Sequence, residues 1–124
     1  MQQPQPPKFP VCPSAALADG QHRKLTMVFE GRKEECLLLR FDGRVYAYLN
    51  RCVHMPPRLD CEEARIFDAT GRHLRCSMHG IVYQPQTGAS LSAMCEGERL
   101  RSVGAYEEEG EVGIADFRVA AAGN

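Results

Sequence analysis

Residues 36–49, CLLLRFDGRVYAYL, set two β-rich apolar runs on either side of an Asp-Gly pair. Such a pair is a strong short-range hairpin signal, because the two-residue turn needs positive φ at both central positions. The pattern predicts strands over residues 36–41 and 44–49, joined at Asp42-Gly43. Two more segments read as strands: residues 24–30, KLTMVFE, before a polar break at 31–35, and residues 112–119, VGIADFRV, after an acidic turn at 107–111. Helix is suggested only over the short stretch 13–18. The expected fold class is therefore all-β, a mostly antiparallel domain.

At 124 residues, 44% apolar and 25% charged, the chain has the size and composition of one soluble domain. A net charge of -1 and the lack of long basic runs argue against nucleic acid or an anionic membrane as partner. No apolar run approaches the roughly 20 residues a membrane helix needs. The start, MQQPQPPKFP, is no secretory signal. A cytoplasmic location follows as the expectation, with the six cysteines as thiols or metal ligands rather than disulfides. Residues 1–11, rich in Pro and Gln, read as a disordered tail and residues 119–124 as a C-terminal tail, leaving a domain over 12–118.

Within that domain, residues 51–101 read as loop, broken by Pro56, Pro57, Gly71, Gly80, Pro85, Gly88 and Gly97. So long a loop inside a compact domain needs something other than an apolar core to hold it, and a metal centre would serve. The same region carries Cys52-Val53-His54 and, after 21 intervening residues, Cys76-Ser77-Met78-His79. Each half-site brings one soft thiolate and one borderline imidazole, a donor set that suits zinc or an iron–sulfur cluster. The usual zinc pattern keeps its Cys pair and its His pair apart, whereas here each half mixes the two. A structural zinc site would be colourless; an iron–sulfur protein would be brown.

The pair CVH…CSMHG resembles the cluster-binding signature of Rieske-type [2Fe–2S] proteins, in which Cys₂His₂ replaces Cys₄. AYLNRCVH is similar to the strand-into-loop entry of Rieske ferredoxins, and LRCSMHGIVYQPQTG to their second loop and its hairpin. Ala93-Met94-Cys95-Glu96-Gly97 stands where relatives carry a third, often Gly-Pro-rich, covering loop. The resemblance implies that Cys52 and Cys76 hold the inner iron and that His54 and His79 hold the outer one. It further implies that Gly80 lets the backbone pass close to the cluster, and that Met55, Pro56, Pro57 and the loop around Met94 cover it. High-potential relatives bridge their ligand loops with two extra cysteines; Pro56 and Met78 occupy those positions here, so no such bridge can form. They also use a serine and a tyrosine to donate to the cluster's sulfurs, positions held here by Ile81 and Tyr83. One donor kept and one missing implies a potential in the lower half of the roughly -150 to +300 mV that Rieske centres span.

The function implied is that of a soluble one-electron carrier, a small stand-alone Rieske ferredoxin with one [2Fe–2S] cluster. Its partners would be a reductase and an oxygenase or other redox enzyme. A permanent electron-transfer subunit of a reductase complex is the alternative, and a structural Cys₂His₂ zinc protein a third. Catalysis of the Rieske oxygenase kind needs a further iron held by two histidines and a carboxylate. Only His22 and His73 are left for that, each beside charged residues, so no catalytic role is expected. Cys12, Cys36, Cys61 and Cys95 read as small buried hydrophobes. Tyr46 and Tyr48 read as ordinary sheet residues, and Glu107-Glu108-Glu109 as a solvated turn.

Overall fold

Leu37, Leu38 and Leu39 are consecutive and all fully buried, so the strand that holds them is covered on both faces. That strand is the middle of the computed structural model, which describes residues 5–50, 67, 70–75, 82–91 and 99–121. Among these residues the chain forms β1 (Lys8–Pro13), a single 3-10 turn (Ser14–Ala16), β2 (His22–Phe29), β3 (Arg32–Phe41) and β4 (Arg44–Leu49). β5 (Leu74–Arg75), β6 (Val82–Tyr83), β7 (Ser102–Val103), β8 (Ala105–Glu108), β9 (Glu111–Ala115) and β10 (Val119–Ala121) follow. The fold class is all-β, as expected.

Three sheets result. Five strands pair in the order β10-β2-β3-β4-β7, three as β1-β9-β8, and β5 pairs with β6. The predicted Asp42-Gly43 turn joins β3 to β4, with φ of 53° and 85°. Glu30-Gly31 and Glu109-Gly110 repeat that left-handed pair between β2 and β3 and between β8 and β9. An L residue followed by Gly is what such a turn tolerates.

Side-chain alternation sorts the residues of the central sheet into two cores. Cys36, Leu38, Ala47 and Leu49 join Met27, Phe29, Val112, Ile114 and Val119 in the space between the two larger sheets. Leu37, Leu39, Phe41 and Tyr48 face the other way, where Leu74, Tyr83 and Leu100 cover them. Phe67 closes the margin by stacking on Phe41, ring centroids 6.4 Å apart.

Several boundaries differ from those the sequence predicts. Residues 32–35 extend β3 instead of breaking the chain, because the ladder with β2 starts at Phe29↔Arg32. The segment 112–119 is cut at Asp116. Its carboxylate accepts the N–H groups of Gly104 and Arg118, both at 2.8 Å, and so turns the chain out of β9 into the other sheet. The proposed tail over 1–11 loses its second half to β1, since β9 needs a partner along its outer edge. The register shifts between Pro10 and Cys12, the kind of irregularity at which a proline without N–H is tolerated. Val119, Ala120 and Ala121 likewise leave the C-terminal tail to pair with β2. Glu107 and Glu108 lie in β8, not in the turn, and Glu107 pairs with Arg40 at 2.7 Å. The supposedly loop-only region 51–101 contains the β5–β6 hairpin.

Candidate metal centre

Cys52, His54, Cys76, His79 and Gly80 lie outside the described residues, as do Cys61, Cys95, Ile81 and the covering segments around Met55 and Met94. The structure gives the frame from which they depart. Arg75 pairs with Val82, and the N–H of Leu91 donates to the carbonyl of Val82 at 2.7 Å. Bridges Phe67↔Leu74, Tyr83↔Ser90 and Ala89↔Arg99, all antiparallel, widen this hairpin into a small sheet. Leu100 donates to the carbonyl of Gly88 at 2.8 Å, and Leu49 donates to that of Arg101 at 3.0 Å, tying the small sheet to the end of β4. Antiparallel pairing fixes directions. The chain leaving Asn50, the chain leaving Arg75 and returning at Val82, and the chain leaving Leu91 and returning at Arg99 all do so at one end of this assembly. The Cys-x-His motif starts two residues beyond Asn50, and the six residues that join Arg75 to Val82 contain both Cys76 and His79.

The exit from β4 is held by polar contacts. Asn50 is buried; its N–H donates to the Glu35 carbonyl at 2.9 Å and its Nδ2 to Glu35 Oε1 at 3.0 Å. An amide that meets its partners is stable in such a position, where a charged side chain would not be. Tyr83, on the strand that follows His79, is fully buried between Leu74 and Ser90. Its hydroxyl does not face water.

Sequence reasoning missed Tyr48. Besides filling the core under the hairpin, it donates its hydroxyl to the Pro85 carbonyl at 2.6 Å. Burial pushes the phenol pKa well above its ordinary value, so the proton stays in place as a donor. No sequence signal separates Tyr48 from Tyr46, which stands on the same face. Cys36 is wholly buried and burial raises its thiol pKa to about 12, which makes it the inert hydrophobe expected; Cys12 is half-buried. Neither Cys12 nor Cys36 is in a disulfide. His22 and His73 are half-buried. Among the described residues no three His, Cys, Asp or Glu side chains come together as a metal site, so neither histidine joins one there.

What the frame defines is a small antiparallel β domain with a short hairpin packed against its outer face. The family of Rieske [2Fe–2S] domains matches residues 7–107, and the chain belongs to that family. Its cofactor is accordingly a [2Fe–2S] cluster. The residues fit this group, since two thiolates and two imidazoles are the ligand set of a Rieske centre.

Solved structures agree on the fold. The chain is similar to the ferredoxin of carbazole 1,9a-dioxygenase from Nocardioides aromaticivorans IC177, at 23% identity and a TM-score of 0.67 over 88% of this chain and 97% of that one. It is also similar to the terminal oxygenase of carbazole 1,9a-dioxygenase from Novosphingobium sp. KA1, at 24% identity and a TM-score of 0.69 over 88% of this chain. A reduced complex between oxygenase and ferredoxin of carbazole 1,9a-dioxygenase matches at 24% identity and a TM-score of 0.68 over 87% of this chain. The chain spans 30% and 28% of the length of those last two chains. No curated protein matches it in sequence. Among the described residues no helix is long and apolar enough to cross a membrane.

Proposed function

We propose that the chain is a cytoplasmic one-electron carrier, accepting an electron from a reductase and passing it to an oxygenase or another redox enzyme. The observation that supports this most is the frame: Asn50, Arg75 and Val82, the described residues that flank the two motifs, lie at one end of the small sheet. The ferredoxin match supports a carrier over a catalytic domain, because the likeness runs along 97% of that chain.

In this reading Cys52 and Cys76 would hold one iron, and His54 and His79 would hold the other. The group supplies reversible one-electron chemistry when bound. Gly80 leaves room for the backbone to pass close by. Tyr83 donates a hydrogen bond toward the sulfurs, which favours the more negative, reduced state. Asn50 and the β5–β6 ladder anchor the described ends from which the two motif-bearing segments depart. The working unit is a domain over residues 12–118, joined by β1 and β10 at its margins, with 51–101 as the cluster-binding part.

Electron paramagnetic resonance of the dithionite-reduced protein tests this. A mixed-ligand [2Fe–2S] spectrum is expected, with iron and acid-labile sulfide in equal amounts. A colourless protein holding zinc would overturn it.

A further inference from the structure

The strand that leads into the first half-site and the hairpin that carries the second share one buried polar contact that the sequence does not announce. Tyr48 lies four residues before Cys52 and is 2% exposed. We infer that Tyr48 is a positioning residue for the cluster: its hydroxyl, bonded to the Pro85 carbonyl at 2.6 Å, pins the turn behind His79 to the strand ahead of Cys52. This rests on the electron-carrier reading and names a residue outside its ligand set.

The turn that receives the bond is built as a rigid unit. Gly88 donates to the Gln84 carbonyl at 2.8 Å and Gln84 to the Ala89 carbonyl at 2.9 Å. Thr87 Oγ1 accepts from the Ala89 N–H and lies 3.1 Å from Gln84 Oε1. A displacement of Pro85 is therefore carried to Val82 and Tyr83, three and two residues upstream, and from there toward His79. Gly88 grips the ring from the other side. Its φ is 75°, and a Cβ there would meet Tyr48 Cε1 at 2.8 Å, closer than two carbons can stand. The ring is thus fixed by a glycine flush against it and by a hydroxyl that has one acceptor. Removing the oxygen leaves the ring in place but strips a buried carbonyl of its donor, which costs more than an exposed bond would. Tyr46 supplies the contrast. It stands two residues earlier on the same face, half-buried, with no hydrogen bond from its hydroxyl among the described residues.

The test compares Tyr48→Phe, Tyr46→Phe and Gly88→Ala with the unaltered protein in its cluster-loaded form. Three properties are read: the resonance spectrum, the reduction potential, and the rate of cluster loss at a temperature where all four keep their far-ultraviolet dichroism. Amide exchange at Gln84, Gly88 and Leu91 is read on the cluster-free proteins. Tyr48→Phe should lose its cluster about five-fold faster, with a displaced spectrum and potential and faster exchange at those three amides. Gly88→Ala should do the same from the opposite side, and Tyr46→Phe should match the unaltered protein. The inference is overturned if Tyr48→Phe keeps the spectrum, potential and loss rate while only its melting temperature falls. Equal effects from Tyr46→Phe would overturn it as well. Should the unaltered protein give no mixed-ligand spectrum, the carrier reading itself fails and takes the inference with it, an outcome distinct from the other two.

Discussion

The two faces of the central sheet are filled in different ways. Between the larger sheets the core is almost purely apolar, with Met27, Phe29, Leu38, Ala47, Leu49, Val112, Ile114 and Val119 meeting strand against strand. Among the described residues, the cover over β3 and β4 on the outer face is a pair of two-residue strands with Leu100 and Phe67. Two tyrosines, Tyr48 and Tyr83, sit fully buried there and so bring hydroxyls into the interior. The first core stabilises itself by burying hydrocarbon. The second is small, and two short strands seldom hold by themselves. It depends on buried hydrogen bonds such as that of Tyr48 to Pro85. In the function proposed, a scaffold held by its own hydrocarbon core and a hairpin completed by the cluster would divide the labour between them.

The largest effect expected from breaking this division is loss of the cluster. His79→Ala or Cys76→Ser should bind almost no iron or sulfide and should become sensitive to protease within 51–101, while the strand signal of the sandwich persists. Full iron and sulfide with unchanged protease resistance in His79→Ala would show the ligand assignment to be wrong.

Next come two neighbours that point to opposite faces. Leu38→Ala and Leu39→Ala each remove a fully buried side chain, and each should cost about 3 kcal/mol in denaturant unfolding. Only Leu39→Ala should also hasten cluster loss, because its cavity opens under the hairpin. If both variants released iron at the same rate, the two cores would not be independent.

A smaller effect belongs to the corner that ties the sandwich together. Asp116 accepts from the side chain and N–H of Arg118 and from the N–H of Gly104. The Arg118 hydrogen bond leads in lowering its pKa to about 2. A depressed carboxyl contributes stability that is complete above its unfolded pKa, near 4, and is lost as the pH falls through its folded one. Asp116→Asn should therefore cost about 2 kcal/mol at neutral pH. Its stability should also be flatter than that of the unaltered protein between about pH 4 and pH 2. Unaltered acid behaviour in Asp116→Asn would place the sensitivity elsewhere, for example at Glu107, whose pKa the hydrogen bond from Arg40 also lowers.

The smallest is Tyr83→Phe. Losing a hydrogen bond that favours the reduced state by about 1 kcal/mol corresponds to roughly 40 mV for a one-electron couple. Protein-film voltammetry should find the potential lower by some tens of millivolts with the cluster intact. No shift would make Tyr83 a core residue alone.

The sequence by itself determined the family and the fold class, and it alone carries the motifs proposed to hold the cluster. Those signals are local: a Cys-x-His and a Cys-x-x-His are read off directly, and Asp42-Gly43 specifies its turn by φ requirements within two residues. The Glu109-Gly110 turn obeys the same requirement and falls within the acidic turn read at 107–111, whereas Glu30-Gly31 read only as the start of a polar break. Tertiary structure alone decided that Lys8–Pro13 and Val119–Ala121 are strands. Their residues have little strand character, and the unpaired edges of β9 and β2 recruit them through backbone hydrogen bonds to which the side chains contribute little. It alone decided that Leu38 and Leu39 serve different cores, because a continuous apolar run carries no period. And it alone separated Tyr48 from Tyr46: the same residue on the same face gains a partner only where Pro85, 37 positions away in the chain, is folded back within reach.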